Sequence, residues 1–404
     1  MGDIMNIAVI IEHNIEIGGN FQHALSIIKI LNERSCPEYN FKFFTTNQRN
    51  VDHFKQLGIE LLLITNVKQY KLSYIAKLVA SKFIRNDNML SIQLDILLNN
   101  YNIDLLYFIS HSELALKVSR INYIFTVLDL CHRDHAEFPE VRRSGEFERR
   151  EGLFQYVLPK AARIITDSEV GKANIVRRYN IDSDRIMVVP FFPAESILET
   201  AQKDVPLSFI DIKKKYNIPD KYIFYPAQFW AHKNHVYILH GLKILKEKYQ
   251  IILHAIFSGS DQGNLEFVLS KADELGIREL IHYVGFVDNR EMPCLYKQSL
   301  ALVMPTYFGP TNIPPLEAFM LGVPVLYSDL PGLREQVAGA ALLLDLHDPE
   351  SLARQLIKVI KGDDQVKTLV ERGRQKVFTF TEDNYWEIIR MALDDYSEKM
   401  RCWK

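Results

Sequence analysis

The chain has 404 residues, of which 48% are hydrophobic and 24% charged, a composition typical of a globular protein and a length that favours two domains. The formal net charge of −2 argues against a nucleic-acid partner held by a basic field, and no apolar run approaches the roughly 20 residues that span a bilayer. Its four cysteines form no CxxC pair, so the spacing indicates neither a common zinc site nor a disulfide scaffold. Since the N-terminus lacks a positively charged leader region, we expect a cytoplasmic protein.

Short apolar runs alternate with longer amphipathic stretches, of which Asn20–Arg34 is the first. Apolar runs of this length are typical of parallel strands buried on both faces. In the first half the predicted strands are IAVII (7–11), FKFFTT (41–46), ELLLI (60–64), LLYFIS (105–110), YIFTVLD (123–129) and RIITDS (163–168). The same rhythm restarts with YIFYPAQ (222–228), IILHAIFSG (251–259), IHYVGF (281–286), LALVMPT (300–306), VPVLYSD (323–329) and ALLLD (341–345). This alternation predicts βαβ units in two doubly wound sheets.

We therefore predict an α/β protein with two Rossmann-like domains, residues 1–195 and 215–380, that face each other across a ligand cleft. The irregular segment Ala194–Asp220 is interpreted as the interdomain linker. A final amphipathic stretch at about 381–404 predicts a long helix that packs back on the first domain.

Two strand-to-helix loops carry groups suited to an anion. Gly18 and Gly19 lead directly into the first helix, where backbone amides and the helix N-terminus favour negative charge. The loop lacks the third glycine of the dinucleotide pattern, and a tight turn without a ligand explains it equally well. Lys233 follows the strand at 222–228 and is placed to act as a phosphate counter-charge, with an ordinary surface lysine as the alternative.

The stretch from Val303 to Val337 is the most informative in the chain. A strand ends at Thr306, a loop rich in Gly, Pro and Asn follows, and Ile313 begins a helix that carries Glu317. Such a loop exposes successive amide donors to an anion, and a carboxylate on the same helix is suited to sugar hydroxyls.

This stretch resembles the signature of the retaining glycosyltransferases of family 4, group 1 glycosyl transferases, in which E-G-F-G-L-P-x-L-E precedes A-x-x-x-G-x-P-V. Asn312 takes a glycine position and Ile313 stands in for the leucine. The residues that keep the pattern are Pro314, Leu316, Glu317, Ala318, Gly322, Pro324 and Val325. Three further blocks resemble the family in order: TVLDLCHRDHAEFPE (126–140), LPKAARIITDSEVGKANIVRRYNIDSDRIMVVP (158–190) and IHYVGFVDNREMPCLYKQS (281–299). The resemblance covers nearly the whole chain and implies the GT-B architecture.

The resemblance also implies a site. Glu317 would accept hydrogen bonds from the nucleotide ribose, Lys233 would neutralise the leaving diphosphate, and the main chain at Phe286 and Val287 would read the base. The implied donor-binding residues are Gly18, Gly19, Gln228, Lys233, Phe286, Val287, Gly309, Thr311, Asn312, Ile313 and Glu317. The implied catalytic residues are Asp129, His132, Lys233 and Glu317. The substrate would be a GDP- or UDP-linked sugar, with no metal and no further cofactor.

Three positions depart from the family pattern. Gly309 replaces a glutamate, Gln228 replaces an arginine, and Leu128 replaces a histidine. His132 or Asn312 would then substitute in handling the donor sugar; an unusual donor and a loss of catalysis are the alternatives.

The leading hypothesis is retaining transfer of a hexosyl unit to a growing glycan or lipid-linked oligosaccharide in surface-polysaccharide biosynthesis. A non-catalytic partner that binds a nucleotide sugar or glycan is one alternative. A nucleotide-sugar epimerase is another, which Glu12, His13, Glu16 and His132 keep open. The basic amphipathic segment 67–86 suits peripheral contact with the anionic inner face of the cytoplasmic membrane, although packing on its own sheet explains it too. The string IDSDR (181–185) is interpreted as a polar turn, not a metal site.

Overall fold

The chain forms two compact units in a computed structural model. The structure describes residues 4–12, 18–34, 36–64, 98, 100–118, 120–203, 212–309, 311–377 and 381–404. The first unit comprises Met1–Leu130, Phe147–Pro190 and Glu382–Lys404, and the second comprises Cys131–Glu146 and Phe191–Thr381.

The first unit is built on a parallel sheet of seven strands in the order β3-β2-β1-β4-β5-β6-β7. The strands are β1 (Met5–Ile11), β2 (Tyr39–Thr45), β3 (Leu61–Leu63), β4 (Leu105–Phe108), β5 (Asn122–Val127), β6 (Arg163–Thr166) and β7 (Ile186–Val188). Among the described residues of this unit, the α-helices are Gly18–Glu33, Gln48–Gln56, Glu146–Val157, Glu169–Tyr179 and Glu382–Met400. Strand β1 lies in the interior of the sheet, which explains why its apolar run has no polar alternation.

The final helix, Glu382–Met400, packs on this first sheet. The hydroxyls of the buried Tyr107 in β4 and Tyr385 in the helix lie 2.9 Å apart, and Asn122 Nδ2 donates to the Tyr396 hydroxyl at 3.0 Å. Buried tyrosines whose hydroxyls find partners combine apolar burial with a satisfied polar tip. The helix is thus an integral part of the first unit, although it follows the whole second unit in sequence.

The second unit has six parallel strands in the order β10-β9-β8-β11-β12-β13. Its strands are β8 (Tyr222–Pro226), β9 (His254–Ser258), β10 (Ile281–Tyr283), β11 (Ala301–Met304), β12 (Val325–Ser328) and β13 (Leu342–Leu344). Its α-helices are Cys131–Asp134, Pro139–Arg142, Glu195–Lys203, Ile212–Tyr216, His235–Tyr249, Leu265–Glu274, Met292–Gln298, Ile313–Leu321, Leu333–Val337, Pro349–Lys361 and Asp364–Val377. The predicted α/β organisation is confirmed.

The segment interpreted as a linker contains more structure than its composition indicates. Residues Glu195–Lys203 form a helix, and Ile197 and Ile212 are both fully buried in the core of the second unit. The core of that unit therefore includes four apolar residues of this segment, Ala194, Ile197, Ile212 and Ile218. In the part of the chain that the structure describes, no helix combines the length and the apolar character that crossing a bilayer requires.

Candidate functional site

Lys233 and Asn312, both predicted donor-site residues, meet in the second unit. Lys233 ends a short helical turn, Ala231–Lys233, that follows β8. Its Nζ donates to Asn312 Oδ1 at 3.1 Å, across 79 positions of sequence. The hydroxyl of the buried Tyr225, in strand β8, donates to the main-chain oxygen of Lys233 at 2.8 Å and links the turn to the sheet. The structure therefore places an ammonium group beside the start of the helix Ile313–Leu321.

The loop before that helix is shaped by Gly309. Its φ of +110° lies in a region that side chains disfavour, and a Cβ built there would lie 3.0 Å from Asn312 Oδ1. Asn312 occupies the N-cap position but its side chain makes no capping bond, because the carboxamide bonds Gly309, Tyr327 and Lys233. Pro314 and Pro315 have no N–H, so among the first three residues of the helix Ile313 alone offers a main-chain donor to an anion. Thr311 is half-buried there, and Ile313 is buried.

Glu317 lies on the same helix but inside the protein. Its carboxylate accepts a hydrogen bond from the buried Tyr296 hydroxyl at 2.7 Å, and the main-chain N–H of Ala194 also bonds to it. Burial raises the pKa of Glu317, and these two bonds only partly oppose that effect. The carboxylate is thus held by core partners, and its contact with a ribose stays a prediction.

A cluster around His232 contains residues to which the sequence had assigned no role. Glu140 Oε1 accepts hydrogen bonds from the main-chain N–H of His232 at 2.9 Å and from its ring Nδ1 at 2.5 Å. The ring of Phe308 stacks on His232 with centroids 3.8 Å apart, and His135 stacks on Phe308 at 5.1 Å. Glu140 was visible in the resemblance block that ends in Pro-Glu, but nothing in sequence paired it with a residue 92 positions away.

The pKa of Glu140 is lower than usual despite burial. Burial alone raises it, but the hydrogen bonds from the ring and main chain of His232 together outweigh that effect. The segment Cys131–Glu146 is therefore tied by a charge-assisted bond to the turn that carries Lys233.

Asp129 and His132, the other predicted catalytic residues, fall in different units. Asp129 Oδ1 accepts from Arg150 Nη2 at 2.5 Å, and the same nitrogen donates to the Asp129 main-chain oxygen at 2.9 Å. His132 is fully buried, with 0% of its surface exposed. In this conformation the His132 side chain has no contact with solvent, and the Asp129 carboxylate forms an ion pair with Arg150.

Gln228, a predicted donor-binding residue, follows β8, and Phe286 and Val287, the predicted base-reading residues, follow β10. Gln228 Nε2 donates to Ser260 Oγ at 3.0 Å, and Gln228 Oε1 accepts from Trp230 Nε1 at 3.0 Å. Phe286 is 65% exposed whereas the adjacent Val287 is buried. The carboxyl ends of adjacent parallel strands form the usual ligand edge of such a sheet.

In the first unit, the predicted glycine pair opens the helix Gly18–Glu33. Before it, Glu12 accepts from Thr46 Oγ1 at 3.3 Å and from the Ser112 hydroxyl, and burial raises the pKa of Glu12 above its usual range. His13, Glu16 and the basic segment 67–86 lie outside the described residues.

The string IDSDR forms a polar turn in which Asp182 Oδ1 accepts from the main-chain N–H of Asp184 at 3.1 Å. Within the described ranges, no group of three or more His, Cys, Asp or Glu side chains is arranged to hold a metal ion.

Comparisons with known proteins agree with this architecture. Residues 208–376 match the family model of the glycosyl transferases group 1. The chain is 25% identical over 248 residues to O-antigen chain mannosyltransferase B of Escherichia coli, which covers 61% of this chain and 64% of that relative. It is 25% identical over 240 residues to O-antigen chain mannosyltransferase RfbU of Salmonella typhimurium, covering 59% and 61%. The chain thus spans less than two thirds of the length of these curated relatives.

Solved structures resemble nearly the whole chain. Anabaena Alr3699/HepE in complex with UDP and glucose has a TM-score of 0.72 at 14% identity and covers 97% of this chain and 100% of its own. A glycosyltransferase from Rickettsia africae has a TM-score of 0.69 at 16% identity and covers 98% of each chain. WaaG, a glycosyltransferase involved in lipopolysaccharide biosynthesis, has a TM-score of 0.68 at 15% identity and covers 96% and 98%. With its two parallel sheets, the chain has the two-domain GT-B fold, as predicted.

Proposed function

We propose that the chain transfers a hexosyl unit from a GDP- or UDP-linked sugar to a growing glycan or lipid-linked oligosaccharide in surface-polysaccharide biosynthesis. The observation that carries the proposal is the contact between Lys233 Nζ and Asn312 at the start of the helix Ile313–Leu321. An ammonium group beside a helix N-terminus, where Ile313 offers a main-chain N–H, suits a diphosphate. The region 208–376 that matches the glycosyl transferase family contains all of these residues. The naming of relatives as O-antigen mannosyltransferases supports the acceptor class and favours mannose among the donors to test.

In the proposed reaction an acceptor hydroxyl attacks the anomeric carbon from the face that the diphosphate leaves. A new carbon–oxygen bond forms as the anomeric bond to the diphosphate breaks, and the hydroxyl proton passes to the leaving phosphate oxygen. Negative charge grows on the diphosphate, and Lys233 and the loop amides would act where it grows. The anomeric configuration is retained, and the step needs neither a protein nucleophile nor a metal ion.

The first test is a thermal-shift screen against nucleoside diphosphates and their sugars. A ligand that binds only the native state stabilises it by about 2.7 kcal/mol at a hundredfold excess over its dissociation constant. We expect a shift with one nucleotide class, and loss of that shift in Lys233→Ala but not in the matched variant Lys243→Ala, which lies on the helix that follows. Transfer of labelled sugar to a glycan acceptor then tests the chemistry. If no nucleotide shifts the transition, the proposal is wrong.

A non-catalytic binder of nucleotide sugars is the second candidate. It is favoured by the core partners of Glu317, the ion pair of Asp129 with Arg150, and the full burial of His132. Such a protein would show the thermal shift but would neither transfer nor hydrolyse the donor. An epimerase would instead convert the free nucleotide sugar without an acceptor.

Peripheral membrane contact through the basic segment 67–86 is a separate part of the proposal. It would place the enzyme beside a lipid-linked acceptor. Flotation with anionic vesicles tests it, with neutral vesicles as the control, and absence of binding to the anionic vesicles would refute it.

A further inference from the structure

Asn312 lies at the centre of a polar network that ends on Lys233. Its Nδ2 donates to the main-chain oxygen of Gly309 at 2.9 Å and to the hydroxyl of Tyr327 at 2.6 Å, and its Oδ1 accepts from Lys233 Nζ at 3.1 Å. An ammonium group only donates and a carbonyl oxygen only accepts, so the carboxamide is satisfied in just one of its two orientations. The side chain is therefore fixed with its oxygen toward Lys233.

Gln336 holds the main chain of the same residue. Its Oε1 accepts from the Asn312 N–H at 3.1 Å, and its Nε2 donates to the Asn312 carbonyl oxygen at 2.6 Å. The Tyr327 hydroxyl donates to the same Gln336 Oε1 at 2.8 Å. Tyr327 in β12 and Gln336 in the helix Leu333–Val337 thus constrain both the side chain and the backbone of Asn312. A network in which each member has partners is rigid, and removing one hydroxyl loosens several bonds at once.

Room for this network depends on position 309. A Cβ on Gly309 would lie 3.0 Å from Asn312 Oδ1 and 3.1 Å from its Nδ2, closer than most real contacts. A side chain at position 309 and the carboxamide of Asn312 therefore compete for the same space.

We propose that Asn312, oriented by Tyr327 and Gln336, is a positioning residue that sets the Lys233 ammonium for the diphosphate of the donor. The choice of ligand rests on the proposed function, but the positioning of Lys233 does not. A neutral carboxamide holds the ammonium without placing a negative charge beside it. An aspartate at position 312 would instead pair with Lys233 and repel an anionic ligand.

The first experiment needs no ligand. The acetylation rate of each lysine is measured by mass spectrometry in the wild type, Asn312→Ala and Tyr327→Phe. We expect the rate at Lys233 to rise about fivefold, the equivalent of one ordinary hydrogen bond, while other lysines in the unit keep their rates. Tyr222→Phe is the matched control, because Tyr222 is also fully buried and its hydroxyl donates to the Leu295 carbonyl at 2.9 Å. An unchanged rate at Lys233 in both network variants would overturn the proposal.

The second experiment measures the affinity for GDP and UDP by calorimetry. Tyr327→Phe is expected to weaken binding about fivefold and Asn312→Asp at least about tenfold, whereas Tyr222→Phe binds as the wild type does. Wild-type affinity in both network variants would overturn the positioning role while leaving the proposed function intact. If the wild type binds neither nucleotide but the Lys233 labelling responds as expected, the proposed function fails and the positioning of Lys233 stands.

A double-mutant cycle tests the competition for space. Gly309→Ala is compared in the wild type and in Asn312→Gly by urea denaturation, so that the backbone strain at position 309 is common to both backgrounds. We expect alanine to lower the denaturation midpoint more when Asn312 is present. Equal losses in the two backgrounds would refute the competition.

Discussion

Two glutamates in the second unit, Glu140 and Glu317, meet burial in opposite ways. Glu140 receives hydrogen bonds from the ring and main chain of His232, and its pKa is lower than usual. Glu317 receives them from the Tyr296 hydroxyl and the Ala194 amide, and its pKa is higher than usual. Burial favours the neutral form of both, but Glu317 is the more deeply buried, so the difference lies in the depth of burial as well as in the partners.

The hydrogen bonds from His232 outweigh the partial burial of Glu140, whereas the bonds from Tyr296 and Ala194 do not outweigh the full burial of Glu317. The region around Glu140 therefore retains a carboxylate charge that ties the segment Cys131–Glu146 to His232. The region around Glu317 is built to tie the helix Ile313–Leu321 to the core. The sequence predicted a ribose contact for Glu317, whereas Glu140 had no assigned role.

The largest expected effect comes from breaking the Glu140 contact. Glu140→Ala removes the acceptor of both His232 hydrogen bonds, and leaving two buried donors unsatisfied costs about 3 kcal/mol of the free energy of unfolding. Urea denaturation checks this, with Glu371→Ala on the exposed face of Asp364–Val377 as the control. A loss no greater than the control's would show that the bond to His232 is not a stability determinant.

A smaller loss is expected at the Glu317 contact. Tyr296→Phe keeps the ring in the core but deletes the hydroxyl donor, at a cost of about 1.5 kcal/mol for a hydrogen bond to a buried carboxyl group. The same change should raise the pKa of Glu317 further, because a bond that lowers it is gone. Tyr222→Phe, which deletes a hydroxyl bonded to a backbone carbonyl, is the matched comparison. A gain in stability for Tyr296→Phe would contradict the claim that the hydrogen bond from Tyr296 to Glu317 stabilises the fold.

The smallest expected effect is on the pH dependence of the free energy of unfolding, to which Glu140 and Glu317 contribute with opposite signs. The pKa of Glu140 is lowered on folding, so its contribution is present above the unfolded value of 4.5 and is lost as the pH falls through its folded pKa. The pKa of Glu317 is raised, so its contribution is present below 4.5 and is lost as the pH rises through its folded pKa. Glu140→Gln should therefore be less stable than the wild type near neutral pH, and this difference in the free energy of unfolding should shrink as the pH falls. The stability of Glu317→Gln relative to the wild type should increase as the pH rises. Urea denaturation at a series of pH values measures both effects. If the stability difference from the wild type changed with pH in the same direction for the two variants, the proposed difference between Glu140 and Glu317 would be wrong.

The sequence located the strands well because buried parallel strands are continuous apolar runs. Each predicted run overlaps an observed strand, as IAVII does with Met5–Ile11. The contact of Lys233 with Asn312 was also within reach, since both had been assigned to the donor site. The bonds of Asn312 to Tyr327 and Gln336 were not, because a contact between residues 15 or 24 positions apart depends on strand register and helix placement.

The segment Cys131–Glu146 shows the same limit at the level of domains. It follows β5 directly in sequence, and the prediction assigned it to the first domain. The structure groups it with the second unit, where Glu140 bonds His232 and His135 stacks on Phe308. Periodicity describes how an element is buried, but not which of two apolar cores buries it.

Trp230, whose indole N–H donates to Gln228, has an optical consequence. The chain has three tryptophans, and the other two, Trp386 and Trp403, belong to the first unit. The main-chain oxygen of Trp230 accepts from the Lys233 N–H at 3.1 Å, so Trp230 is a natural emission probe in the turn that carries the ammonium group. With Trp386 and Trp403 replaced by phenylalanine, the remaining fluorescence would report on the second unit alone, and quenching by an added nucleotide could be followed in real time without a label.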